Sequence, residues 1–149
     1  MAGVQILNTP WSIAPDMEDV FVGRLMSSPA HTVGPGTPVQ TAAQTMIDAD
    51  IGSLVVVEDD RLVGILTATD FVRAAADGSP TADAIVADYM TEDVITTDAN
   101  HDIREIAALM TEHGFHHVPV VDGESVIGMI STSDLTNYVS HLERAGSPA

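Results

Sequence analysis

The chain has 149 residues, of which 22 are Asp or Glu and 5 are Arg, and it contains no Lys and no Cys, so its formal net charge is −17. This charge excludes nucleic-acid binding by the isolated chain, because a polyanion is held by clustered basic side chains, and it disfavours anionic membrane surfaces. The lack of Cys excludes disulfides and thiolate sites, and a hydrophobic content of 45% excludes a disordered acidic tail.

The first residues differ from the rest of the chain. Residues 1–18 are interpreted as an N-terminal extension, and one hypothesis takes Met17 as the true initiator, so that residues 1–16 would not be native. A rival hypothesis makes the segment with Trp11 and Ile13 a docking arm for a partner. The segment at residues 19–26 is predicted to lead into a first structural unit.

The first unit is predicted to contain three strands and two helices. A short strand at residues 31–33 precedes a helix, for which Thr37 is the expected N-cap and Pro38 the first helical residue. Two strands at residues 54–57 and 62–66 follow, and a helix at residues 70–76 closes the unit. The first helix has an apolar face at spacings of three and four, formed by Val39, Ala42, Ala43, Met46 and Ile47.

The second unit is predicted in the same order, after a linker at residues 78–84 and a helix at about residues 82–90. A strand at residues 95–97 precedes a helix with an apolar face. The remaining elements are two strands at residues 118–121 and 126–130, a helix from residue 133 to about 142, and a tail at residues 144–149. The apolar face consists of Ile103, Ile106, Ala107 and Met110.

The two units are an internal repeat. Gly64 and Gly128 lie 64 residues apart, as do Asp70 and Asp134, and further identities align at this offset without a gap. One unit of about 50 residues is too small for a core of its own. The prediction is a mixed α/β (α+β) fold of two β-α-β-β-α repeats, residues 19–77 and 85–143, packed sheet against sheet with pseudo-twofold symmetry.

Three motifs carry a resemblance to a known family. Residues 64–70 read Gly-Ile-Leu-Thr-Ala-Thr-Asp, and residues 128–134 read Gly-Met-Ile-Ser-Thr-Ser-Asp. Residues 117–122, His-Val-Pro-Val-Val-Asp, form the third motif, which the first repeat matches without the Pro. The chain resembles a tandem pair of CBS domains, called a Bateman module, of the stand-alone archaeal and bacterial kind.

The resemblance implies a function class. Such pairs are regulatory modules that bind AMP, ADP, ATP or S-adenosylmethionine as effectors, with no required cofactor, and commonly form homodimers. The expected function is therefore an energy sensor that modulates an unidentified partner protein. Two alternatives stay open: a structural interaction module with empty clefts and, ranked last, an enzyme. No nucleophile motif or phosphate loop supports catalysis.

Eight residues are candidates for ligand contacts. A carboxylate accepts hydrogen bonds only, so Asp70 and Asp134 could each bind a ribose diol, with the hydroxyl three residues earlier on the same turn. The same Thr/Ser-x-x-Asp spacing is also a helix capping box, and the two roles can coexist. By resemblance, other cleft positions are added. The complete set is Thr32, Thr67, Asp70, Thr96, His116, His117, Ser131 and Asp134.

The remaining expectations concern metal, ligand type and environment. His113, His116 and His117 do not match a zinc motif, and no metal site is expected. The few Arg residues favour AMP or cationic S-adenosylmethionine over free ATP. The acidic, Lys-free composition predicts a halophilic protein, with an acidic mesophilic protein as the alternative. No signal peptide or membrane-length apolar run is present, which predicts a cytoplasmic protein.

Overall fold

The computed structural model describes residues 20–78 and 83–146, with side chains to residue 142. The N-terminal extension and both hypotheses about it lie outside these residues, as does most of the predicted linker. In the part of the chain that is described, no helix has the length and apolarity needed to span a membrane.

The fold is mixed α/β, and most of the predicted elements are present. The strand-helix-strand-strand-helix order is complete in the first repeat, whereas the second repeat lacks an extended first strand. The elements are α1 (Val22–Leu25), β1 (Thr32–Val33), α2 (Val39–Ala49), β2 (Ser53–Glu58), β3 (Arg61–Thr67), α3 (Ala68–Ala76), a 3-10 helix (Val86–Asp88), α4 (Ile103–His113), β4 (His117–Asp122), β5 (Ser125–Ser131) and α5 (Thr132–Gly146).

The described residues divide into two compact units. The central unit contains residues 29–78, 83–95 and 123–126, and its sheet has the order β1-β2-β3, with β1 parallel and β3 antiparallel to β2. The side chains of β2 are buried at four consecutive positions, as expected for a strand covered on both faces. The core consists of Ala42, Met46, Leu54, Val56, Leu66 and Val86.

The terminal unit contains residues 20–28, 96–122 and 127–146, and strands β4 and β5 pair within the chain's second sheet. Helix α4 ends at Gly114, whose positive φ of 74° suits the left-handed C-cap that glycine adopts without steric cost. The core consists of Val20, Val22, Ile103, Ile106, Met110, Val118, Val120 and Ile130.

Each segment that precedes a repeat in sequence packs with the other repeat. Ser27 pairs with Met129 of β5 through both backbone bonds (2.8 and 3.0 Å), and Thr91 pairs in the same way with Ile65 of β3 (2.8 and 2.9 Å). An added Cβ at Gly128 would lie 2.7 Å from the Ser27 carbonyl oxygen. These two segments, residues 20–28 and 83–95, are called the crossing segments. The glycine of each repeat motif makes room for one of them, and the compact units therefore differ from the sequence repeats.

The start of α2 differs from the prediction. Pro38, and not Thr37, occupies the N-cap, and the helix begins at Val39. The Thr37 carbonyl accepts from the Val86 N–H (2.9 Å), and the Val39 N–H donates to the Ala84 carbonyl (3.0 Å). The crossing segment thus takes over the role that the sequence suggested for the Thr37 hydroxyl.

Three other predictions are wrong. Ile47 is 72% exposed, because the buried face of α2 follows Val39, Ala42 and Met46 and leaves the next position outside it. The predicted helix at 82–90 is, in its described part, only the 3-10 turn Val86–Asp88. The strand at 95–97 is reduced to one bridge between Thr97 and Val120.

Proline explains the missing strand. In the first repeat, the Val55 N–H donates to the His31 carbonyl and extends the pairing of β1 with β2. The residue equivalent to Val55 is Pro119, which has no N–H to donate. Only the bonds around Thr97 remain, from Thr97 N–H to the Pro119 carbonyl (3.0 Å) and from Val121 N–H to the Thr97 carbonyl (2.8 Å).

Candidate functional site

Each repeat has a strand-to-helix turn where a hydroxyl and a carboxylate meet. In the central unit, Asp70 Oδ2 accepts from the Thr67 N–H (2.8 Å) and hydroxyl (3.2 Å). In the terminal unit, Asp134 Oδ2 accepts from the Ser131 N–H (2.8 Å) and hydroxyl (3.0 Å). The capping interpretation is confirmed at both turns. One oxygen of each carboxylate is thereby committed to the fold.

The second oxygen of Asp70 is also occupied. Asp70 is only 3% exposed, and its Oδ1 accepts from Arg73 Nη1 at 3.0 Å and from the Thr91 hydroxyl at 3.4 Å. Sequence reasoning missed both donors. Arg73 could have been found, because a residue three positions after an acid on a helix faces it. Thr91 could not, since it arrives on the crossing segment, 21 residues away.

The second oxygen of Asp134 differs from that of Asp70. Asp134 is half-buried, and no side chain among the described residues bonds to its Oδ1. No buried side-chain oxygen in this part of the chain lacks a partner. The Oδ1 atom of Asp134 is therefore solvent-accessible and can accept hydrogen bonds from a ligand.

The two candidate histidines lie beside the Asp134 turn. The Thr132 N–H donates to the His116 carbonyl at 3.0 Å, which ties the start of α5 to the residue before β4. The His116 side chain is exposed, whereas His117 is the half-buried first residue of β4. Burial lowers the pKa of His117, the neighbouring His116 lowers it further, and the Asp134 carboxylate acts in the opposite direction. The terminal unit thus places a neutral imidazole near the accessible carboxylate.

The lowered pKa of His117 predicts a pH-dependent stability. Below about pH 6.5, the ordinary pKa of histidine, His117 becomes protonated in the unfolded chain but stays neutral in the folded chain. The free energy of unfolding therefore falls as the pH falls toward the lowered pKa. His117→Gln is expected to reduce this slope between pH 7.5 and 5.5, by at most about 1.4 kcal/mol per pH unit. Urea unfolding at each pH measures the free energy of unfolding, from which the slope is obtained.

The control for this prediction is His113→Gln, which alters an exposed ring at the end of α4. The His113 variant should keep the wild-type slope. Equal slopes in the wild type and the His117 variant would contradict the assignment of this pH dependence to His117.

The two remaining candidates, Thr32 and Thr96, are not hydrogen-bonded to either carboxylate. Thr32 is an exposed residue of β1, paired with Val55. Thr96 is exposed too, next to the buried Thr97, whose hydroxyl lies 2.6 Å from His101 Nδ1. Neither Thr32 nor Thr96 bonds through its side chain to a described residue. Both hydroxyls are available for a ligand, and their contact with one stays a prediction.

Metal ligation is not supported by the described geometry. Among residues 20–78 and 83–142, no group of three His, Asp or Glu side chains is arranged to hold an ion. The His113 ring stacks on Phe115, with centroids 5.4 Å apart, so it is engaged at the end of α4.

Comparison with known proteins gives a consistent family assignment. A model of the CBS domain matches the chain twice, at residues 22–77 and 86–141. A 17.7 kDa protein of Acidianus ambivalens is 30% identical over 132 residues, which cover 86% of this chain and 79% of that protein.

Two similar solved structures contain adenosine compounds. The CBS domain pair of protein MJ0100, in complex with 5′-methylthioadenosine and S-adenosyl-L-methionine, is 27% identical with a TM-score of 0.75, covering 80% of this chain and 99% of that one. CBSX2 in complex with AMP is 25% identical with a TM-score of 0.74, covering 84% of this chain and 99% of that one.

Proposed function

The chain belongs to the CBS-domain family, and from that membership we propose that it is a regulatory module that binds an adenosine-containing ligand and modulates a partner protein. The observation that carries the proposal is the accessible Oδ1 atom of Asp134 beside Ser131, His116 and His117. The complexes of related CBS pairs with S-adenosyl-L-methionine and with AMP support the ligand class.

Asp134 would bind the ribose of this ligand. Its Oδ2 keeps the cap, while Oδ1 accepts from the 2′- and 3′-hydroxyl groups, which a carboxylate can do with the lone pairs that the cap leaves free. Ser131 and the neutral His117 would add neighbouring polar contacts. Thr96, in the same unit, would approach the base, whereas Thr32, Thr67 and Asp70 are the equivalent residues of the central unit.

The ligand would be an adenosine compound with little negative charge. Arg73 is bonded to Asp70, and Arg61 pairs with Glu124 at 3.3 Å, so these two cations are engaged within the protein. A triphosphate without Mg²⁺ usually needs several free positive groups. AMP or S-adenosylmethionine is therefore preferred over ADP and ATP.

The module would act through its partner and not through catalysis. A ligand shifts a conformational equilibrium only by its difference in affinity for the two states, so the bound and free forms should differ in their affinity for the regulated protein. The proposal includes a homodimer, a cytoplasmic location and a surface adapted to high salt, supported by the resemblance and by the net charge of −17.

A structural interaction module is the second candidate. The complete set of internal bonds around Asp70 favours it for the first repeat, because that carboxylate already serves the fold. In this case no adenosine compound would bind to the folded chain.

The test is calorimetric titration with AMP, ATP and S-adenosylmethionine in high salt. Asp134→Asn is expected to weaken binding by at least about tenfold, because it removes the charge from the acceptor while keeping its shape. Asp122→Asn, the same change at an exposed residue of β4, serves as the control and should bind as the wild type does.

The two candidates give different results in this experiment. Sedimentation velocity checks that each variant keeps the wild-type fold and oligomeric state. A folded wild type that gives no heat with any of the three compounds would refute the sensor function. Unchanged affinity in Asp134→Asn would refute the assigned ribose contact.

A further inference from the structure

We infer that each chain binds a single adenosine ligand, at the Asp134 turn, because Arg73 and Thr91 close the equivalent turn at Asp70. The inference rests on the proposed function and specifies it, since two repeats with the same motif would otherwise suggest two equivalent sites. Arg73 is assigned here as the residue that determines the number of sites.

The hydrogen bonds of the two carboxylates differ in number. Asp70 accepts four, two on each oxygen, at distances from 2.8 to 3.4 Å. A carboxylate has about four lone-pair positions, so Asp70 has none left for a ribose diol. Asp134 accepts two from Ser131, both on Oδ2, and among the described residues nothing else bonds to its carboxylate.

The difference lies in two sequence positions. The residue equivalent to Arg73 is Asn137, exposed on α5, and no described side chain bonds to it. The residue equivalent to Thr91 is Ser27, whose backbone pairs with Met129 as Thr91 pairs with Ile65, but whose side chain makes no bond to Asp134. The backbone arrangement is thus repeated, and the side-chain donors are not.

Burial reinforces the closure. Asp70 is 3% exposed, whereas the Arg73 side chain that bonds to its Oδ1 atom is 67% exposed. A buried carboxylate needs its donors, so a ligand at Asp70 must displace Arg73 and replace its bond at the same moment. At Asp134 Oδ1 no described side chain has to be displaced.

Reciprocal exchange of the two residues tests the inference. Wild type should bind one equivalent of the preferred compound among AMP, ATP and S-adenosylmethionine per chain in calorimetry. Arg73→Asn should bind two, because it removes the 3.0 Å bond to Asp70 Oδ1 and leaves there only the longer bond from the Thr91 hydroxyl (3.4 Å). Asn137→Arg should lose binding by at least about tenfold, because the new guanidinium can reach Asp134. The double variant, which combines Arg73→Asn with Asn137→Arg, should bind one equivalent, at Asp70.

Matched variants distinguish the closure of the Asp70 turn by Arg73 from a general effect of removing a cation and from misfolding. Arg61→Asn removes a cation of similar exposure and should keep one site. Arg73→Gln, which suits a helix better than Asn, should also give two sites and replaces Arg73→Asn if that variant does not fold. In the double variant, Asp70→Asn should abolish binding and Asp134→Asn should not.

The outcomes distinguish this inference from the proposed function. Two equal sites in the wild type, or a single site in both the wild type and a folded Arg73 variant, overturn the inference and leave the sensor function standing. No binding to any folded variant overturns both.

Discussion

Gly128→Ala is expected to lower the free energy of unfolding by about 3 kcal/mol, because an added methyl group has no room at this position. The Cβ would lie 2.7 Å from the Ser27 carbonyl oxygen and 2.8 Å from Met26 Sδ. The first of these atoms is backbone, fixed by its pairing with Met129. Relief of the clash requires the crossing segment to move away from β5. Chemical denaturation of both proteins measures the loss.

Two other glycines provide controls for this substitution. Gly36→Ala meets nothing within 4 Å and should change stability by no more than about 1 kcal/mol, toward greater stability. Gly64→Ala should lie between the two, since its closest contact is the flexible thioether of Met90 at 2.8 Å, and the Thr91 carbonyl oxygen is 3.0 Å away. A loss at Gly128 no larger than that at Gly36 would contradict the packing argument.

Raising the salt concentration from 0.15 to 1 M is expected to increase the free energy of unfolding by about 4 kcal/mol, if the charge of −17 is treated as spread over a sphere of the size typical for 149 residues. The folded chain holds its carboxylates closer together than the unfolded chain does, so screening favours the folded state. Thermal and urea unfolding at several NaCl concentrations measure the effect.

The control removes charge from one turn. Glu58→Gln, Asp59→Asn and Asp60→Asn together reduce the net charge from −17 to −14, and the repulsion scales with the square of the charge, so the salt effect should fall by about a third. Asn is suitable at the two Asp positions because both have positive φ, 53° and 63°. Stability that is insensitive to salt would contradict the proposed adaptation.

Local patterns predicted most of the elements and both capping turns. The continuous apolar run at residues 54–57 identifies β2, and the repeated Thr/Ser-x-x-Asp motif places Asp70 and Asp134 at helix starts, where the structure has them. These features depend on neighbours within about four residues. These features can therefore be predicted from the local sequence alone.

Features that depend on distant segments could not be predicted in the same way. The cap at Thr37 fails because Ala84 and Val86 satisfy the start of α2, and Thr91 reaches Asp70 from the crossing segment. The part of the difference between the two carboxylates that comes from Thr91 could not be predicted for the same reason. The part that comes from Arg73 is local, because Arg73 lies three residues after Asp70, where the second repeat has Asn137.

Because each crossing segment packs with the repeat that it does not precede, the order of synthesis on the ribosome determines when each unit can be completed. By residue 95, all of the central unit has been made except residues 123–126. The terminal unit joins residues 20–28 to β5, so Ser27 has to wait about a hundred residues for its partner Met129. At a synthesis rate of about 5–20 residues per second, that delay lasts about 5–20 seconds. During it, the apolar side chains of Val20 and Val22 have no core to enter, and the nascent chain depends on its acidic residues to stay dispersed.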